Sequence, residues 1–260
     1  MMGKHHAVSG AAAWIAVTAT GPLALGSNPL PPLAVIIGAG VTAGAALLPD
    51  VDQHNGTIAH SGGLVTKAVA SVAQGASGGH RHGLHGILAI VGFYLATTWL
   101  AGFSGDVPFL GTIPIGSALL LLALVAFALK ALKLSKGGIV KLWLSAFALT
   151  VGLLAFAPEQ LEWLPLSVMV GVATHLVGDF ITTGGLPLFW PWVPKPPKVL
   201  HAVPVINRIW QPNGYMAVPV LGNTGSAREW VLFVVLSGYT LAGLLGEGAH
   251  LVGQSFSWWG

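Results

Sequence analysis

Apolar residues run through this chain in long blocks separated by short polar segments. A membrane crossing needs about 20 consecutive, mostly apolar residues. The sequence offers such stretches at about 7–26, 31–48, 84–103, 108–129, 139–157, 163–181 and 229–250. The first two are rich in Gly, Ala and Pro, and residues such as Gly38, Gly40, Ala43 and Gly44 let helices approach closely in lipid. The pattern predicts an all-α fold: a polytopic membrane helical bundle of about seven spans, one integral membrane domain over 1–260.

Two longer connections interrupt it. The first runs from about Gln53 to Gly83 and holds a short apolar piece, Leu64 to Ala73, too short to cross and expected at the interface. The second, at about 182–228, is a polar insertion whose prolines at 187, 191, 194, 196, 197, 204, 212 and 219 disfavour a long helix. Its Trp190, Trp192 and Trp210 suit a headgroup-level belt. Lys4 followed by an apolar run is also the opening of a signal peptide, but no small-residue cleavage site precedes the second span, so an uncleaved first span is expected.

Composition agrees with this reading. Apolar residues make up 54% of the 260 and charged residues 7%, with a mean hydropathy of +0.77. Soluble domains carry roughly 25% charged residues, so this chain cannot cover a water-facing surface. The absence of cysteine excludes disulfides, thiolate metal sites and a cysteine nucleophile. A pI near 9.3 reflects loop topology in a membrane protein, and no nucleic-acid partner is expected.

The basic residues set the orientation. With Lys130, Lys133 and Lys136 in the cytoplasm, as the positive-inside rule asks, alternation of seven spans puts all eleven basic residues on that side. Asp106, Glu159 and Glu162 fall in loops of the other face. The expected topology is N-in, C-out, a multi-pass protein of the cytoplasmic (inner) membrane.

Ten histidines stand against eight acidic residues, and imidazole is both a common metal ligand and a side chain that titrates near neutral pH. The alternation that sorts the lysines also collects these residues. His5 and His6 open the first span, Asp50 and Asp52 close the second, His80, His82 and His85 open the third, and His175 and Asp179 close the sixth. Glu229 starts the last. All lie toward one membrane face.

Each cluster has a bland alternative. Asp50 and Asp52 can simply stop a span in the headgroups. The Gly79–His85 run can be a basic membrane anchor, and His5 and His6 a frayed terminus. His175 and Asp179, at i and i+4 inside an apolar run, share a helical face and can bind one metal or pair with each other. Such residues inside membrane spans are functional by default. His54, His60 and His201 read as solvated loop residues, with His60 the first candidate exception, and His250 as structural. No phosphate-binding Gly-rich loop, nucleophile elbow or His-Glu-x-x-His is present.

Taken in order, the clusters resemble the YdjM-like family of bacterial inner-membrane proteins, predicted metal-dependent hydrolases. The matching residues are His6 (or His5), Leu47-Leu48-Pro49-Asp50-Val51-Asp52, Gly79-His80-Arg81 with His85, and His175-x-x-x-Asp179. The run Thr182 to Pro191 and the segment Thr224 to Glu229 fit further family elements. The family's Thr-His-Ser is replaced here by Leu84-His85-Gly86.

The resemblance implies that His6, Asp50, Asp52, His80, His85, His175 and Asp179 are ligands or catalytic groups. It implies one or two divalent ions, zinc first among them for an N/O ligand set. The expected activity is hydrolysis of a phospholipid or another amphiphilic phosphoester at the cytoplasmic face. Arg81 would neutralise a phosphoryl oxygen, and an Asp free of metal, Asp52 for one, would take the water's proton, with His85 at the reacting centre. The alternatives are an ion- or proton-coupled transporter and a metal-stabilised membrane scaffold.

Overall fold

In a computed structural model of the protein, the described residues are 1–53, 58, 61, 62, 66, 67, 71, 75, 82–107, 111–156 and 161–257. Eight α-helices are described among them: α1 (Gly3–Thr18), α2 (Pro32–Ala45), α3 (Ile87–Ala101), α4 (Ile115–Ala131), α5 (Ile139–Phe156), α6 (Leu164–Phe180), α7 (Pro204–Ile209) and α8 (Ala227–Ser257). Each of the seven apolar stretches carries one of them. By length and composition Pro32–Asp52 and Ala227–Gly253 are apolar enough to cross a membrane; α1, α3, α4, α5 and α6 have 15 to 18 residues.

Several boundaries differ from expectation. The first helix starts at Gly3, so His5 and His6 lie within its opening turns, and it stops at Thr18 rather than near 26. The Thr18 hydroxyl bonds back to the Trp14 carbonyl at 2.8 Å, and Gly26 then takes a left-handed turn at φ 58°. The stretch expected to begin a span at 108 instead enters α4 only at Ile115, after a small antiparallel hairpin of β1 (Gly105–Val107) and β2 (Gly111–Ile113). The all-α expectation therefore needs this one exception. The piece from Leu64 to Ala73 lies mostly outside the described residues.

Helix α2 is the centre of the bundle, packed by α1, α4, α6 and α8. Small residues make that possible. A Cβ on Gly44 would fall on the Leu124 carbonyl oxygen of α4, and one on Gly171 of α6 would lie 2.7 Å from both Ala45 Cβ and the Ala46 nitrogen. Backbones thus touch where a side chain would hold them apart. Two polar contacts tie this core: Trp14 Nε1–H donates to the Val35 carbonyl at 3.1 Å, and the Thr42 and Ser167 hydroxyls meet at 2.8 Å.

The outer helices turn apolar side chains outward. Leu88, Leu95 and Trp99 of α3, Val140 and Leu144 of α5, and Val231, Val234 and Leu245 of α8 are all exposed. From Ala227 to Gly253 only Glu229 and Glu247 are buried, so α8 is not the core helix of a water-soluble protein; its surface needs an apolar solvent.

The insertion after α6 folds over the end of the bundle. Thr182 bridges Gly222, and Met216 bridges both Leu186 and Trp210. The Ile87 N–H donates to the Leu188 carbonyl at 2.9 Å, which ties the insertion to the start of α3. Gly185 sits at φ 59°, where a Cβ would come within 2.7 Å of the Met216 carbonyl oxygen.

Candidate metal centre

The start of α1, the turn after α2, the start of α3 and the end of α6 meet at one end of the bundle. In α6, His175 and Asp179 are one turn apart on the face toward α2. After α2 the chain tightens into a 3-10 turn, Leu48–Asp52, with Pro49 in its first positions. Three residues per turn send positions two apart in different directions, so Asp50 and Asp52 cannot present their carboxylates to the same atom. A second 3-10 turn, Gly83–His85, delivers His85 just before α3.

Four ligand atoms from these elements form a closed ring. His85 Nε2 lies 3.7 Å from Asp50 Oδ1, which lies 3.8 Å from His175 Nε2. His175 Nε2 is 3.8 Å from Asp179 Oδ2, and that oxygen is 4.0 Å from His85 Nε2. Around a tetrahedral ion with bonds of 2.0–2.2 Å, neighbouring ligand atoms stand about 3.3–3.6 Å apart. The four edges of the ring are a few tenths of an ångström longer, and its two carboxylates balance the charge of one dication.

His6 adds to this set. Its Nε2 is 3.3 Å from the other oxygen of Asp179, Oδ1, and its ring stacks on that of His175 with centroids 3.8 Å apart. The Met1 ammonium donates to the same Oδ1 at 2.6 Å. Two overlapping groups, His6–His175–Asp179 and Asp50–His85–His175, each hold their ligand atoms within 4.8 Å of one another. These buried His/Asp groups are placed to hold a metal ion.

Burial strengthens the fit. His6, His85, His175 and Asp179 are at most 1% exposed, whereas the Asp50 side chain keeps 17% exposure and marks the open edge. His175 Nε2 is buried with no hydrogen-bond partner among the described residues. Its Nδ1 lies 2.7 Å from the Ala46 carbonyl oxygen. A carbonyl only accepts, so Nδ1 carries the proton and Nε2 is left as a lone pair aimed into the ring. An orphaned buried acceptor costs roughly 1–3 kcal/mol, and a bound cation removes that cost.

Asp52 takes a different position. It is fully buried, and its Oδ2 lies 3.8 Å from Nδ1 of His85, the ring nitrogen opposite the one that faces Asp50. His85 therefore stands between the two carboxylates. His82 is half-buried and faces the Tyr215 ring at 6.3 Å. It does not share the inward face with His85, because its backbone, at φ −109° and ψ −111°, lies outside the 3-10 turn that begins at Gly83. His80 and Arg81 lie outside the described residues, as do His54 and His60.

His5, next to His6, points elsewhere. Its Nδ1 is 2.5 Å from Glu229 Oε1. That carboxylate also accepts N–H bonds from Met2 at 2.7 Å and Gly225 at 2.6 Å. Glu229 is fully buried, so it clamps the first turn of α1 to the start of α8. In the sequence Glu229 reads as a distant ligand or a helix-start charge, with nothing to mark it as the partner of His5. The Ala46 carbonyl left no signal there, because any residue supplies a carbonyl.

No curated protein and no solved structure matches the chain. The profile of one family, described as YdjM inner membrane protein, matches residues 1–249. That match takes in every element of the ring and the clamp. The chain belongs to the YdjM family of inner membrane proteins.

Proposed function

We propose that this protein is a membrane-bound, metal-dependent hydrolase acting on a phosphoester at the cytoplasmic membrane face. The single observation that carries the reading is the buried ring of Asp50 Oδ1, His85 Nε2, His175 Nε2 and Asp179 Oδ2, with edges of 3.7 to 4.0 Å. These four atoms would hold the ion, with His6 beside them. Zinc is the first candidate, since neutral imidazoles and carboxylates suit it. A divalent ion there supplies Lewis acidity, acidifying water and polarising a scissile phosphoester.

The chain's own groups do the rest. The Ala46 carbonyl fixes the His175 tautomer, and Asp52 orients His85 from behind, as outer carboxylates do for metal-binding imidazoles. Asp50, on the exposed edge, is where water reaches the ring. Arg81, near His85 in sequence, would meet a phosphoryl oxygen.

A seven-span, N-in, C-out topology accompanies this reading. It is supported by the meeting of five helix ends that alternation requires on one side, and by the apolar outer faces of α3, α5 and α8. The positive-inside rule makes that side cytoplasmic.

Elemental analysis of the protein purified in nanodiscs tests the reading. About one divalent ion per chain is expected in wild type, lost in Asp50→Ala and in His175→Ala. Metal-loaded wild type is then expected to hydrolyse members of a phosphoester and phospholipid panel. A metal-free wild type, or variants that keep the ion, would sink the metal centre; a loaded protein inert across the panel would sink the hydrolase.

A further inference from the structure

A second feature lies against the metal centre. A groove of about 600 Å³ runs between α1, α6 and α8. On α1 its wall is made of small residues, Ala12, Ala13 and Ala16; on α8 it is the apolar stripe Leu232, Val235 and Leu236. One end is closed by Met1 and Gly178. Both touch the candidate ligands: the Met1 ammonium bonds Asp179 Oδ1, and a Cβ on Gly178 would lie 2.7 Å from Met1 Sδ and 3.1 Å from His6 Cε1. With no side chain at 178, Met1 and the His6 ring pack closely against α6, so the groove ends at a residue that itself bonds Asp179.

We infer that this groove holds one acyl chain of a phosphate-bearing lipid drawn from the surrounding leaflet, with its head at the His/Asp centre. This deepens the hydrolase reading and rests on it for the role of the head. Three observations select the occupant. The groove is continuous with the lipid-facing surface, since Val177 and Val235 in its walls are 58% and 61% exposed.

Its length and width fit a chain rather than a helix. From Gly3 to Ala16 α1 rises about 20 Å, enough to cover the roughly 15 Å hydrocarbon depth of one leaflet. A helix of that length, about 10 Å across, would need roughly 1,600 Å³, well beyond the groove's 600 Å³. A cation also stands near the end at the metal centre: Lys4 Nζ lies over the Trp230 ring at 3.8 Å, where α1 meets α8. A phosphate head there gains a counter-charge, while the carbons replace no polar contact.

Photo-cross-linking tests this in nanodiscs of phosphatidylethanolamine and phosphatidylglycerol, with a diazirine on one acyl chain of the phosphatidylglycerol. Cross-linked peptides are mapped by mass spectrometry. Labelling of the α1 and α8 walls is expected to exceed, several-fold, that of the equally lipid-exposed face of α5 around Leu144 and Phe147. Ala13→Phe and, from the other wall, Val235→Trp are expected to abolish that excess and keep the bound metal, which also reports that they fold.

A diacylglycerol carrying the same diazirine is expected to label the groove several-fold less. Even labelling of α1, α5 and α8, or excess labelling that survives both substitutions, overturns the proposal. So does equal labelling by the lipid without phosphate. Preferential labelling in a protein that carries no metal supports the groove and places the failure on the hydrolase reading alone.

Discussion

His175 Nδ1 donates to the backbone carbonyl of Ala46 across 2.7 Å, so the last turn of α2 decides which nitrogen of a histidine on α6 faces the metal centre. The carbonyl is available because Ala46 follows the end of α2, where the final carbonyls of a helix lack intrahelical partners. The close approach depends in turn on Gly171, one turn before His175.

Gly171→Ala is therefore expected to act at a distance. The new methyl would meet Ala45 and Ala46 at 2.7 to 2.9 Å, and overpacking of this kind costs about 1–3 kcal/mol. Loss of stability together with weakened metal affinity is expected. Gly40→Ala in α2, where nothing lies within 4 Å of the new Cβ, is expected to stabilise by about 0.5–1 kcal/mol and leave metal binding unchanged. Unfolding in mixed micelles with metal titration on the same samples checks both.

Asp50 and Asp52 are separable by experiment. Asp50 Oδ1 belongs to the ring, and Asp50→Ala is expected to abolish metal binding. Asp52 faces the far nitrogen of His85, and loss of such an outer carboxylate weakens metal affinity about 10- to 100-fold rather than removing it. Competition with a chromogenic chelator measures the difference; equal losses in Asp50→Ala and Asp52→Asn would refute the assignment.

The clamp at Glu229 is a stability element. Glu229→Ala strands the N–H groups of Met2 and Gly225 as well as His5, all at hydrogen-bond distance from the carboxylate. Breaking a buried, hydrogen-bonded pair from one side costs about 3–5 kcal/mol. Glu229→Gln keeps one acceptor and is expected to lose less. The transition midpoint in sodium dodecyl sulfate titrations reads the order; if the Gln variant is the weaker of the two, the clamp assignment fails.

Removing the metal is expected to destabilise the fold. An ion that binds only the folded chain at 100 times its Kd contributes about 2.7 kcal/mol, and chelation also restores the orphaned His175 nitrogen. Treatment with a chelator is expected to lower Tm, and zinc, added back in excess over the chelator, to recover it. An unchanged Tm in a protein shown to have carried metal would contradict the ring.

The apolar pattern alone located the seven long helices, because a chain that must satisfy its backbone in lipid leaves little choice but helix. It also singled out His6, Asp50, Asp52, His175 and Asp179, since ionisable residues in so apolar a chain are few and costly. Helix ends were less legible: α1 stops at Thr18 and α4 waits for a hairpin, both decided by local turns within apolar sequence.

Atomic roles were out of reach of the sequence. Neighbouring residues on an α-helix point about 100° apart, so His5 and His6 part company, one to Glu229 and one to Asp179. Asp50 and Asp52 likewise divide between the two nitrogens of His85. Composition and spacing determined that a membrane bundle would gather histidines and carboxylates at one end. Which atoms close the ring was set only by helices brought together at their glycines and by one carbonyl at the end of α2, because distances of a few ångströms depend on how backbones pack.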